Sequence, residues 1–262
     1  MEETRQYISG LTKVRTKLLE RDSVMYAEPS WVRITTITMT SKFLEDFNFT
    51  QFKVDMKKLG KVRIRNKNSS FSGFEWSMKD TTFYNQVTVT YRDSYSNKSV
   101  KLFPNGSIQA AGCSNLIDCT RVLTLLQELI RVVLKADKVV PVAAPTIQMI
   151  NTNFSLNCSV NLRKVITKFA SNTRFDVTFD PDKYSAVKIK FEPGEGMKKV
   201  TASIFSTGKV IVTGARTLQE IVHAYEIINT MITDKELVEK SEKKELFEIF
   251  MGVKFGDWKN NV

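Results

Sequence analysis

The side chains in this sequence suit binding better than they suit reaction. Histidine occurs once, His223, inside an apolar helical run, which leaves no basis for a zinc cluster or a histidine-centred triad. Cys113, Cys119 and Cys158 are odd in number and lack C-x-x-C spacing, so they are expected as packed thiols in a reducing compartment. Gly194-Glu195-Gly196 is a bare G-x-G without strand-to-helix context and reads as a turn. Asp180 and Asp182 flank a proline at a turn and make an unconvincing metal site. The expectation is a protein with no catalytic residue, metal or cofactor.

What recurs instead is a phrase. Phe103-Pro-Asn-Gly-Ser-Ile-Gln-Ala-Ala-Gly-Cys113 and Phe205-Ser-Thr-Gly-Lys-Val-Ile-Val-Thr-Gly-Ala215 echo each other about a hundred residues apart. Matching strands precede them, Tyr84 to Tyr91 and Tyr184 to Phe191, and an amphipathic helix follows each. One supersecondary unit used twice predicts pseudo-twofold symmetry. The net charge of +11 favours a polyanion. A basic, pseudo-twofold chain with paired aromatics on strands suits duplex DNA, itself pseudo-twofold.

The elements that must position these residues follow from periodicity. Val32 to Lys42 alternates, with Ile37 and Met39 on one face and Ile34, Thr36, Thr38 and Thr40 on the other. In the second copy Phe154, Leu156 and Cys158 point inward while Asn151, Asn153, Ser155 and Asn157 point outward. A short helix should follow in both, seen most clearly in Leu162, Val165, Ile166 and Phe169. Gly106 and Gly208 mark tight hairpin turns. Thr217-Leu-Gln-Glu220 has the form of a capping box, with Ile221, Ala224, Tyr225 and Ile228 as the stripe behind it; Val122, Leu125, Leu126, Leu129 and Val133 do the same in the first copy. The expected organisation is an N-terminal extension at 1–29 with a helix at Leu11 to Leu19, a first repeat at 30–135, a connector at 136–145, a second repeat at 146–232, and a helical extension at 233–262. The first repeat carries an insertion at 54–82, read as an extra hairpin.

Helices with one apolar stripe and strands with one apolar side cover one face of an antiparallel sheet, so the fold class is α+β with an open face. By alternation that face carries Ile34, Thr36, Thr38, Lys101, Gln109 and Ala111 from the first repeat. The second contributes Asn151, Asn153, Lys188, Lys190, Ser203, Lys209, Ile211 and Thr213. Small apolar, hydroxyl and amide groups with few acids suit the floor of the minor groove, where A·T pairs present only acceptors. A solvated sheet face is the alternative reading of the same composition.

Phe205-Ser-Thr-Gly-Lys-Val-Ile-Val-Thr-Gly-Ala-Arg216 is similar to the I-F-x-S-G-K-x-V-x-T-G-A-[KR] phrase of the TATA-box-binding protein family. The resemblance covers roughly residues 30 to 232, more strongly in the second repeat than in the first. It implies a saddle of two tandem pseudo-twofold repeats: a curved ten-stranded antiparallel sheet, helices on its convex face, the concave face on the minor groove of A/T-rich double-stranded DNA. This family is a standard example of a protein that kinks DNA from the minor groove. By position, the intercalating wedges would be Tyr84 with Phe103 and Tyr184 with Phe205, tyrosine standing where the family has phenylalanine. The family's central asparagines fall on Val32 and Met149, with Asn151 and Asn153 close by, and Gln109 and Ala111 take groove positions of the first repeat. Asp180, Asp182 and Lys183 resemble the stirrup that docks transcription factor IIB; Asp-Pro is also a common turn opener.

The resemblance therefore implies a non-enzymatic factor of transcription initiation that bends DNA and recruits a factor-IIB-like protein and RNA polymerase. The insertion and tail mark it as a divergent member, of the kind expected in a large DNA virus. No apolar run reaches the length of a membrane span and the start of the chain is polar, so an intracellular protein without membrane contact is expected, in the nucleus or a cytoplasmic viral factory. The alternative is a saddle module that binds protein or serves as the substrate-binding part of a nucleic-acid-processing enzyme, for whose catalytic domain only 233–262 follow the second repeat.

Overall fold

The computed structural model describes residues 2–20, 29–64, 74–79, 85–93, 97–232 and 237–239. Two compact units emerge, one from Ile34–Asn151 and the other from Met1–Arg33 with Thr152–Val262. The division falls inside two strands, not in the connector at 136–145.

The chain opens with α1 (Glu2–Glu20), which belongs to the second of these units. The first unit then runs β1 (Arg33–Lys42), α2 (Phe49–Leu59), β2 (Lys61–Ile64), β3 (Phe74–Lys79), β4 (Val87–Arg92), β5 (Asn97–Leu102), β6 (Ser107–Cys113), α3 (Leu116–Leu134) and the start of β7 (Thr146–Ser155). Its antiparallel order is β2-β3-β4-β5-β6-β1. Ile37, Met39, Val87, Val89, Val100, Leu102, Ile108 and Ala110 are buried on one side of these strands. Helices α2 and α3 supply the cover, with Phe52, Met56, Val122, Leu126, Leu129 and Val133 buried. Trp76 on β3 is fully buried, its ring 5.2 Å from that of Tyr91. Lys98 is buried as well, its Nζ 3.1 Å from Asp118 Oδ1 on α3. Truncating either partner of such a pair costs about 3–5 kcal/mol, because it strands a charge in the interior.

The second unit comprises α1, the remainder of β7, β8 (Ser159–Val160), α4 (Leu162–Ala170), β9 (Asp176–Asp180), β10 (Tyr184–Phe191), β11 (Val200–Ile204), β12 (Lys209–Ala215), α5 (Leu218–Ile232) and β13 (Val238–Glu239). Strand order is β7-β12-β11-β10-β9, with β8 and β13 paired separately. The capping box forms as its sequence predicts: the Glu220 N–H donates to Thr217 Oγ1 and the Thr217 N–H donates to Glu220 Oε2, both at 3.2 Å. Glu220 Oε1 also accepts from the Lys198 N–H at 3.1 Å, tying the turn before β11 to the start of α5.

Several expectations change. Val54 to Leu59 continue α2 instead of opening an insertion, because Phe52 and Met56 extend one buried helical face. The described remainder of 54–82 is β2 and β3, and β3 sits where β9 sits in the second unit, so β2 is the added strand. Among the described residues the first unit's series β2-β3-β4-β5-β6-β1 thus has six strands where the expected repeat has five. The N-terminal helix is longer than Leu11 to Leu19 and packs on α5, burying Leu11, Val14 and Leu18. Val238–Glu239 pair with Val160 and Ser159 instead of joining a helix; the rest of the expected C-terminal helix lies outside the described residues. The three cysteines are buried thiols outside any disulfide, as expected.

The two hairpin turns are built alike and differ in tolerance. Gly106 and Gly208 have φ of 78° and 77°. A Cβ at Gly106 meets nothing closer than 3.9 Å, whereas at Gly208 it falls on the Cys158 carbonyl oxygen. Gly106→Ala should therefore cost about 1–2 kcal/mol, the ordinary left-handed penalty, and Gly208→Ala more than about 3 kcal/mol, because backbone must move. Chemical denaturation of the two variants tests this; equal losses would contradict it.

Candidate nucleic-acid interface

Strand register decides which side chains share the open face. In the first unit Thr38 pairs with Ala111, Ala111 with Ser99 and Ser99 with Thr90. The adjacent row runs Thr40, Gln109, Lys101, Thr88. Ile34, Thr36, Thr38, Lys101, Gln109 and Ala111 are all half-buried, between the closed core at their sequence neighbours and open solvent. The structure thus brings the first-repeat residues singled out from alternation onto one face. It also adds Thr90 and, from β3, Glu75, Ser77 and Lys79, whose partners Arg92, Thr90 and Thr88 continue the rows outward, Thr88 itself being buried. The alternation of Glu75, Ser77 and Lys79 with Trp76 and Met78 is the signal that would have found them.

In the second unit Lys188 pairs with Ser203 and Ser203 with Ile211, while Lys190 pairs with Thr201 and Thr201 with Thr213. Lys188, Lys190 and Lys209 are exposed and Ile211 and Thr213 half-buried. Ser203 is on this face by register but only 8% exposed, closed in by its longer neighbours. Along β7, Ile150, Thr152 and Phe154 are buried and Asn151 and Asn153 take the alternate positions. Asn151 Oδ1 is buried without a hydrogen-bond partner among the described residues. An amide left so is costly unless a ligand or water completes it.

At the rim of the second unit's face two rings meet. Tyr184 opens β10 and Phe205 follows β11; their centroids are 5.6 Å apart with planes at 69°. Both are half-buried, and Lys188 Nζ lies 4.8 Å from the tyrosine centroid. Phe205 is held by its turn: its N–H donates to the Lys209 carbonyl at 3.0 Å and its carbonyl accepts from the Gly208 N–H at 2.9 Å. Phe103 has the same two bonds, with Ser107 and Gly106, both at 3.0 Å. Phe103 therefore occupies the equivalent place in the first unit. Its expected companion Tyr84 lies outside the described residues.

Asp180, Asp182 and Lys183 form the exposed turn between β9 and β10. Lys183 Nζ is 2.9 Å from Asp180 Oδ2, and the Lys183 N–H donates to the Asp180 carbonyl at 3.2 Å. Such an exposed pair contributes about 0–1 kcal/mol; the turn shows its charges to solvent. Among the described residues no group of His, Cys, Asp and Glu is arranged to hold a metal ion, and no helix is long and apolar enough to cross a membrane.

A family model described as transcription factor TFIID, or TATA-binding protein, matches residues 144–235. Those residues, which make up the second repeat, are similar to TATA-binding protein. Over 240 residues the chain is 27% identical to a "TATA-box-binding protein-like" protein of Acanthamoeba polyphaga mimivirus, covering 77% of this chain and 65% of that relative's length. Among solved structures it is similar to the TATA-binding protein of Methanococcus jannaschii, with a TM-score of 0.52, 14% identity, and coverage of 78% of this chain and 98% of the other. The fold is that of TATA-binding protein. The family model covers the repeat that holds the Tyr184–Phe205 pair, while the first repeat keeps the hairpin and the alternation with other side chains.

Two half-exposed rings in edge-to-face contact couple by about 0.5–1.5 kcal/mol beyond their burial. A double-mutant cycle of Tyr184→Ala and Phe205→Ala should return a coupling in that range. By contrast Phe154→Ala, which empties a buried site, should cost about 3–5 kcal/mol. A cycle near zero would mean that the rings do not hold each other in place.

Proposed function

We propose that this chain is a TATA-binding-protein-like factor of transcription initiation, without enzymatic activity, that binds the minor groove of A/T-rich duplex DNA and bends it. The observation that carries the reading is the Tyr184–Phe205 ring pair, turn-anchored at the rim of an open face rich in hydroxyl, amide and small apolar groups. Phe103 supports a second wedge in the first repeat, with Tyr84 as its companion by sequence. Ile34, Thr36, Thr38, Lys101, Gln109 and Ala111 with Asn151, Asn153, Ser203, Ile211 and Thr213 contact the groove floor in this reading. Lys188, Lys190 and Lys209 contact phosphates.

Unstacking a base step costs about a few kcal/mol, offset by groove burial and by released counterions. Affinity consequently falls steeply with salt. The exposed turn at Asp180, Asp182 and Lys183 is the docking point for a factor-IIB-like protein, through which RNA polymerase is recruited. The viral relative favours work on DNA in a nucleus or a cytoplasmic viral factory.

The test is bending measured by fluorescence transfer between the ends of an A/T-rich duplex. Wild type should bring the ends closer. Phe103→Ala/Phe205→Ala should lose most of the bend while keeping salt-dependent, sequence-independent affinity, since the lysines are untouched. Unchanged bending in the double variant would refute the wedge assignment.

A further inference from the structure

The two units differ at their outer edges, and the difference is one of charge. In the second unit the sheet ends at β9, where Asp176 pairs with Lys190 and Asp180 with Tyr184. In the first unit β2 lies outside β3. Val62 is buried at 8% exposure against the row of Trp76 and Tyr91, which fixes which side of β2 faces the helices. Period-two alternation then puts Lys61 and Arg63 on the open face. Lys61 continues the row Ser77, Thr90, Ser99, Ala111, and Arg63 continues the row Glu75, Arg92, Asn97. Lys79 joins Thr88, Lys101 and Gln109 in a third.

Lys61 and Arg63 are paired yet accessible. Glu75 Oε2 accepts from Arg63 Nε at 2.7 Å and Glu75 Oε1 lies 3.3 Å from Lys61 Nζ. The Arg63 hydrogen bond, helped by Lys61, keeps the Glu75 carboxyl below the usual carboxylate range. Arg63 and Lys61 nevertheless remain 70% and 65% exposed. One carboxylate cannot use the five donors of a guanidinium and the three of an ammonium, so donors remain for a second anion. Holding both stems in place also lowers the entropy lost when that anion binds. Edge protection against strand pairing is the usual work of lysine on an outer strand. Free lysines would do that better than a pair clamped by Glu75.

We propose that β2 is an added phosphate-binding edge, with Lys61, Arg63 and Lys79 gripping the sugar–phosphate backbone of the duplex that lies on the open face. This rests on the DNA-binding reading above. It makes the first unit's contact with DNA longer and more electrostatic than the second unit's.

The experiment is the salt dependence of full-chain binding to a long A/T-rich duplex, together with hydroxyl-radical protection of the DNA backbone. For Lys61→Ala/Arg63→Ala the slope of log K against log salt should become shallower by about 0.9 for each phosphate no longer neutralised, about two in all, and protection should shrink on one flank only. Glu75→Gln keeps both cations and should keep the slope. Lys57→Ala/Lys58→Ala, on the exposed side of α2, should also leave it unchanged. Thermal unfolding of each variant confirms that it is folded, and Arg63→Gln gives a milder second variant. A wild type that binds duplex with a slope the Lys61/Arg63 variant shares overturns the added edge alone, and self-association of that variant would assign β2 to edge protection. A wild type that binds no duplex overturns the functional reading itself.

Discussion

The organisation of each unit depends on helices packing against one side of its strands. Once Ile37 and Met39, or Val187 and Ile189, are buried under helices, the alternate residues have no choice but the other face. A slip of one residue would exchange the two sets, so register carries the site as much as residue identity does. The hairpins at Gly106 and Gly208 pin that register, and the shift between Ile37 and Thr38 lets β1 keep Thr38 and Thr40 beside Ala111 and Gln109. The open face is thus a by-product of core packing, and its polar composition is what sets it apart from the buried side.

The parts of this arrangement visible in the sequence were those written twice or governed by short-range rules. Thr217 and Glu220 cap α5 because both partners lie within one turn, and the phrase from Phe205 to Ala215 can be aligned with its echo without knowing the fold. The parts that escaped depend on distant partners. The hairpin read at 54–82 forms as β2 and β3, but the bounds of β2 at Lys61–Ile64 depend on Trp76 and Tyr91, which offer a row for Val62 to join. Leu11, Val14 and Leu18 show a helix, yet its packing on α5 is set by residues some two hundred positions later. Val238–Glu239 form a strand only because Ser159 and Val160 are there to pair with. Alternation assigned side chains to a sheet face as the register has them, while the burial of Ser203 beside Lys188 and Ile211 was not legible in it.

The repeats have kept their backbone logic and diverged in chemistry. The hairpin bonds around Phe103 and Phe205 match donor for donor, whereas the outer edges carry Lys61, Arg63 and Lys79 in one unit and Asp176 and Asp180 in the other. A binder so built need not treat the two ends of its site alike. The added cationic strand belongs to one repeat, and the described ring pair sits in the other.

The central claim is that DNA meets the open face and not the helices. Lysine acetylation footprinting, read residue by residue with and without an A/T-rich duplex, tests it most directly. Lys101, Lys188, Lys190 and Lys209 should be protected by the duplex while Lys57, Lys58 and Lys164 on the helices react as before. Protection of the helix lysines with the open-face lysines still reactive would contradict the account.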